Sequence, residues 1–113
     1  MNSYYSGLFA EWRARMFLRL RGYKILQSRY ITGKRTGRAE IDIIAKRGTT
    51  IVFVEVKQRP DLTTAWDAIT PTQIQRLRNA ADTYLIKKRW IGSARFDVIA
   101  VCGWKIHWVQ NAF

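Results

Sequence analysis

Residues 38–57, RAEIDIIAKRGTTIVFVEVK, constrain the fold more than any other stretch. Two strand-forming runs flank Gly48-Thr49, a Gly-X pair of the kind a two-residue type II′ hairpin takes. In 39–46, Ile41, Ile43 and Ala45 alternate with Glu40, Asp42 and Ile44. In 51–57, Ile51, Phe53, Glu55 and Lys57 alternate with Val52, Val54 and Val56. Closing the turn on Gly48-Thr49 pairs Arg47 with Thr50. Counting outward pairs Ile44 with Phe53, Asp42 with Glu55, and Glu40 with Lys57, and a four-residue loop over 47–50 leaves the same register. Opposed residues share a face with Cβ atoms about 4.5–5.5 Å apart. Asp42 and Glu55 then meet as like charges, which destabilises the pair unless one carboxyl is protonated or a cation lies between them. A hard divalent ion such as Mg2+, held by two carboxylates and a backbone carbonyl, meets that need. Lys57 adds a positive charge on the same face. The bland alternative is a solvated sheet face with ordinary ion pairs, Glu40–Lys57 among them.

The charge balance decides what such a hairpin would work on. Twenty Lys and Arg against eight acids give a net charge of +12, and three of those acids (Glu40, Asp42 and Glu55) gather in the one hairpin. So large an excess favours a polyanion, nucleic acid before an anionic membrane. The bases are spread along the chain, which argues for a folded basic surface rather than a tail. With 113 residues, 48% of them hydrophobic, the chain builds one domain with its own core. The single Cys102 excludes an intramolecular disulfide and, in the run VIAVC, reads as a buried thiol. No apolar stretch reaches the ~20 residues of a membrane span, and the N-terminus lacks the basic-then-apolar order of a signal peptide. A cytoplasmic protein with no membrane partner is expected.

Along the chain, Ser3–Arg21 reads as a helix stopped by Gly22. Tyr5, Phe9, Trp12, Met16 and Leu20 form one apolar stripe, and Leu8, Ala14 and Leu18 a second strip that includes Glu11. A helix apolar on two sides packs on the sheet and lies near a partner or lid. Its interleaved bases and aromatics rank an amphipathic membrane helix last. Glu11 has an i,i+4 partner in Arg15. Residues 23–31 form a short strand that sends Ile25 and Leu26 into the core. The loop ITGKRTGR that follows places Lys34, Arg35 and Arg38 where they would hold phosphates, unless it is only a solvated connection. Pro60 and Pro71 bracket a loop with one short turn around 65–69, in which Trp66 either stacks on a base or covers the core edge. Thr70 or Thr72 caps a helix to about Lys88, apolar at Ile74, Leu77, Ala81, Tyr84 and Leu85, with Gln73, Gln75, Arg76 and Arg78 on or near its other face. Lys87-Lys88-Arg89-Trp90 suits the helix dipole or a phosphate-and-stacking patch. Strands at 95–102 and 104–109 close the chain. His107, the one histidine, has no partner spacing for zinc or a catalytic triad.

Asp42, a short hairpin, then Glu55-Val56-Lys57 resembles the D…(E)xK signature of the PD-(D/E)xK nuclease superfamily. EIDIIAKRGTTIVFVEVKQR is more closely similar to the signature of the YraN-like family of small bacterial proteins. The likeness extends to Gly7…Glu11…Leu18…Gly22-Tyr23, Ala80-Ala81…Tyr84-Leu85 and the Asn111-Ala112-Phe113 ending. It implies a restriction-endonuclease-like αβββαβ core and a helical Glu11 that approaches the metal directly or through water. It also implies a substrate or water contact from Gln73, where the family pattern usually has Lys.

Together these features describe one α/β domain with a mixed central sheet flanked by two principal helices. The expected activity is metal-assisted phosphodiester hydrolysis on nucleic acid, DNA first and branched or repair intermediates among its forms. Asp42, Glu55 and the Val56 carbonyl would hold Mg2+, or Mn2+ in its place, with Glu11 in support. Lys57 would orient water or offset charge on the phosphate, and Lys34, Arg35, Arg38, Gln73 and Arg76 would contact nucleic acid. Branched-DNA resolvases of this fold act as dimers, so a homodimer is compatible. The alternative is a non-catalytic nucleic-acid-binding module that retains a nuclease-like fold.

Overall fold

A computed structural model describes residues 3–33 and 38–113, with the side chains of the first helix from Ser6 onward. The elements follow as α1 (Ser3–Leu20), β1 (Lys24–Thr32), β2 (Ala39–Arg47), β3 (Thr50–Gln58), α2 (Leu62–Asp67), α3 (Pro71–Lys87), β4 (Ser93–Cys102) and β5 (Lys105–Val109). The strands lie side by side in chain order in one open sheet. Only β3 and β4 are parallel, joined by the crossover through α2 and α3. This is the mixed sheet with flanking helices and the αβββαβ order expected from the sequence.

Alternation along β3 decides the layers. Val52 and Val54 face α1, where Ala10, Ala14 and Leu18 pack with Ile43, Ala45, Ile99 and Val101. Ile51 and Phe53 face α3, where Leu77, Ala80, Ala81 and Tyr84 pack with Ala39, Ile41 and Ile44. α1 therefore meets the sheet through small residues. Its expected stripe is turned away, with Phe9, Trp12 and Leu20 all exposed. α3 starts where its side chains dictate: Thr70 accepts from the Gln73 N–H and Pro71 takes the first helical position.

The hairpin closes on Gly48-Thr49, and Gly48 alone of the pair has a positive φ, the sign pattern of a type II′ turn. Arg47 pairs with Thr50 and the register runs as counted through Ile44↔Phe53 to Ile43↔Val54. There the ladder ends, which corrects the expected Asp42↔Glu55 and Glu40↔Lys57 pairs. β2 continues on β1 through Ile41↔Tyr30 to Ala39↔Thr32, and β3 continues on β4 through Glu55↔Val98 to Gln58↔Val101. The sheet thus splits between its second and third strands. At the same level β2 twists, so Ile41 packs with Ile44 on the α3 side rather than with Ile43. Arg29, the β1 residue between the Ser28↔Ile43 and Tyr30↔Ile41 pairs, has φ 54°, a left-handed kink opposite Asp42.

Three smaller differences have local causes. The loop after Pro60 contains a short helix, α2, because Asp61 caps it by accepting from the Thr64 N–H. Cys102, expected as a buried thiol, is half-buried, since β4 leaves the core there for the Gly103-Trp104 turn. Trp90 is folded against the α3-side core, with its indole N–H donated to the Ser93 carbonyl.

Asp97 is wholly buried on β4 and fully paired. Arg95 forks onto it at 3.0–3.3 Å, the Trp108 indole N–H donates at 2.8 Å and the Asn111 backbone N–H at 2.9 Å. The Ala112 N–H donates to the Phe96 carbonyl, so the C-terminal residues are tied to β4. Gly92 lies immediately before β4, against the hairpin turn. A Cβ there would run into the Thr49 carbonyl oxygen and the Trp90 ring. Gly92→Ala is expected to destabilise by about 1–3 kcal/mol, as overpacking does, read as a lower urea midpoint with unchanged slope.

Candidate active site

The split in the sheet is where the candidate residues converge. Glu55 follows the last β2–β3 pair and is 6% exposed. Its Oε1 accepts from Gln73 Nε2 at 3.2 Å and pairs with Lys57 Nζ at 3.2 Å. Its Oε2 is buried and has no hydrogen-bond partner among the described residues. Across the gap, Asp42 Oδ2 accepts the Val56 N–H at 2.8 Å, so a side chain takes the place of the lost ladder acceptor. The N–H and C=O of one strand residue lie along the same edge. The Val56 carbonyl therefore borders the gap as well.

Two cavities meet at the carboxylates, and Asp42, Glu55 and Lys57 line both. On the α3 side, about 420 Å³ is bounded by Arg38, Glu40, Thr70, Thr72, Gln73 and Arg76. On the α1 side, about 570 Å³ is bounded by Ser6, Gly7, Glu11, Val56, Gln58 and Arg59. Of the residues singled out from the sequence, Asp42, Glu55, Val56, Lys57, Gln73, Arg38, Arg76 and Glu11 are thus gathered here. Lys34 and Arg35 lie outside the described residues.

Glu11 is not paired with Arg15. Both of its oxygens are held by Arg29 Nε and an Arg29 terminal nitrogen, at 3.1 and 3.0 Å. It faces the α1-side cavity as half of an ion pair rather than as a bare carboxylate. Arg29 was not foreseen, and no local pattern pointed to it, because its partner lies on another element. Thr70, Thr72 and Arg59 were likewise not singled out as site residues. Lys57 bonds Glu55 rather than Glu40, its partner in the bland alternative, because the strands part before Glu40 comes opposite.

The electrostatics follow from burying two acids together. Burial above all, and then the charge of Glu55, push the Asp42 carboxyl up to about 8, while the Val56 N–H pulls the other way and Glu11 and Glu40 add to the rise. Burial also raises Glu55, against the pull of Lys57. No cluster of three or more His, Cys, Asp or Glu gathers among the described residues, so this is a site of two carboxylates and a carbonyl. Those hard oxygen donors and the unpartnered Oε2 fit a hard divalent cation. Without one, the pair favours a proton.

Residues 10–101 match the model of a family described as uncharacterised protein family UPF0102. The chain is 44% identical over 115 residues to a UPF0102 protein of Mesorhizobium japonicum, covering 98% of this chain and 88% of the relative. It is 43% identical over 101 residues to one of Rhizobium meliloti, covering 88% and 80%. A third, of Paramagnetospirillum magneticum, is 39% identical over 102 residues, covering 88% and 79%. The chain belongs to the UPF0102 family, the family the YraN-like hairpin resembles. The matched span contains Glu11, both carboxylates of the gap and Gln73.

The raised Asp42 fixes a direction for stability. Its folded-state carboxyl binds a proton more tightly than the unfolded one, whose ordinary value is 3.8. The resulting stability is complete below that value and lost as pH rises through about 8. In metal-free buffer the melting temperature of the wild type relative to Asp42→Asn is expected to fall between pH 5 and pH 8. A constant difference over that range would contradict the burial argument.

Proposed function

We propose that this UPF0102 protein is a metal-dependent nuclease that hydrolyses phosphodiester bonds, with DNA as the first substrate to consider. The observation that carries the reading is Glu55 Oε2, buried and unpartnered beside Asp42. Burying two acids within reach of each other costs stability, and a cation that both can share offsets that cost. The net charge of +12 supports a polyanionic substrate. Arg38 and Arg76 flank the gap on one side and Arg59 on the other, a placement suited to neighbouring phosphates.

Mg2+ or Mn2+, when bound, would polarise the scissile phosphate and lower the pKa of an attacking water. Asp42, Glu55 and the Val56 carbonyl would hold it. Lys57 Nζ pairs with Glu55 Oε1 at 3.2 Å. Its ammonium would orient water or offset charge gained by the phosphate. Gln73 keeps Glu55 in place through Oε1. Glu11, held by Arg29, would act through water rather than as a direct ligand.

Calorimetry with Mg2+ and Mn2+ tests the reading together with cleavage of branched, single-stranded and duplex DNA. Asp42→Asn/Glu55→Gln should abolish cation binding. Lys57→Ala should keep binding and lose roughly 10²–10³-fold in cleavage rate, the usual cost of removing one charge-stabilising group. A wild type that binds no cation, alone or with non-cleavable DNA, would overturn the proposal. If that chain still bound DNA, it would be a non-catalytic binding module.

A further inference from the structure

α1 is turned the opposite way from an ordinary surface helix. Ala10, Ala14 and Leu18 are buried against the sheet, while Phe9 and Trp12 are each 49% exposed. Those two rings are stacked, with centroids 5.9 Å apart and an interplanar angle of 12°. The Arg13 guanidinium lies over Phe9 at 5.9 Å and donates to the carbonyls of Gly103 and Trp104. That bond brings the β4–β5 turn, with Trp104 96% exposed, beside the helix. Arg15 and Arg19 follow Trp12 one and two turns on, along the same side. One turn before Phe9, Ser6 lines the cavity that opens on Asp42 and Glu55.

We infer that the outer face of α1 is a binding platform for single-stranded nucleic acid, with unpaired bases stacking on Phe9 and Trp12 and phosphates meeting Arg15 and Arg19. A strand leaving the carboxylates on the α1 side passes Ser6 and reaches the ring pair within one helical turn. Exposed aromatic faces beside cations suit any unstacked base. In a duplex those base faces are covered, so the platform discriminates by strandedness. A second copy of the chain is disfavoured as the occupant, because two surfaces from chains of +12 would repel. Anionic lipid matches the charge but needs no parallel ring pair. The inference takes its strand direction from the nuclease reading, and the binding itself needs no metal.

The test is fluorescence anisotropy in EDTA, with a labelled oligo(dT) and a duplex of the same length. Phe9→Ala/Trp12→Ala should weaken oligo(dT) binding roughly tenfold and leave duplex binding nearly unchanged, while Phe9→Tyr/Trp12→Phe should retain wild-type affinity. Trp12→Leu alone serves if the double alanine variant melts early. Unchanged oligo(dT) affinity, or equal losses on both ligands, would overturn the platform. Loss of binding to phosphatidylglycerol vesicles with oligo(dT) binding intact would overturn it too, and would assign the face to lipid. The assay contains no divalent cation, so it reads the platform apart from the carboxylates. Failure of cation binding with the platform intact would therefore sink the nuclease reading alone.

Discussion

Everything at the site depends on β2 and β3 separating one residue before their carboxylates come face to face. Had the ladder continued, Asp42 and Glu55 would be opposed at the short spacing of paired strands with nowhere to relax. Instead each strand keeps its outer neighbour, β1 for β2 and β4 for β3. The inner edges are left with backbone groups that need other partners. Asp42 meets one of these needs by accepting the Val56 N–H. The gap is stable because its walls are held from outside, by Arg29 and Glu11 on one flank and by the parallel β3–β4 pair on the other.

Two buried acids of the same sheet show how differently such groups can be used. Asp97 has both oxygens engaged by Arg95, Trp108 and the Asn111 N–H, and it ties the C-terminal residues down. A buried charge that is fully satisfied is a structural device. Glu55 has one satisfied oxygen and one orphan, and native proteins leave few buried polar atoms in that state. The contrast singles out Glu55 as a group with a further partner to gain.

Much of this was legible in local pattern. Alternation together with the Gly48-Thr49 turn fixes the hairpin register as far as Ile43 and Val54, because both signals act over a few residues. The cap at Thr70 and the convergence of Asp42, Glu55 and Lys57 follow from spacing of the same kind. What could not be read depends on distant neighbours. The split is set by what β1 and β4 hold, and the pairing of Glu11 with Arg29 joins α1 to β1. α1 has two apolar sides, and periodicity cannot say which faces inward. Close approach to the sheet selected the small one, Ala10 and Ala14. α2 was hidden because Pro60 and Pro71 read as breakers, although Asp61 is a strong cap.

The parallel pairing of β3 with β4 bears on how the molecule assembles. The hairpin needs only a tight turn to form, whereas Thr50 meets Ser93 only after the whole crossover has closed. Local contacts form early and long closures late. Until β4 arrives, Glu55 stands on an open strand edge in water, where its charge and that of Asp42 are screened and cheap to keep apart. Desolvation of the acid pair coincides with docking of that last internal strand. Proton uptake is thereby coupled to the final, non-local step of folding, and solution conditions that favour a neutralised pair also favour completion of the sheet.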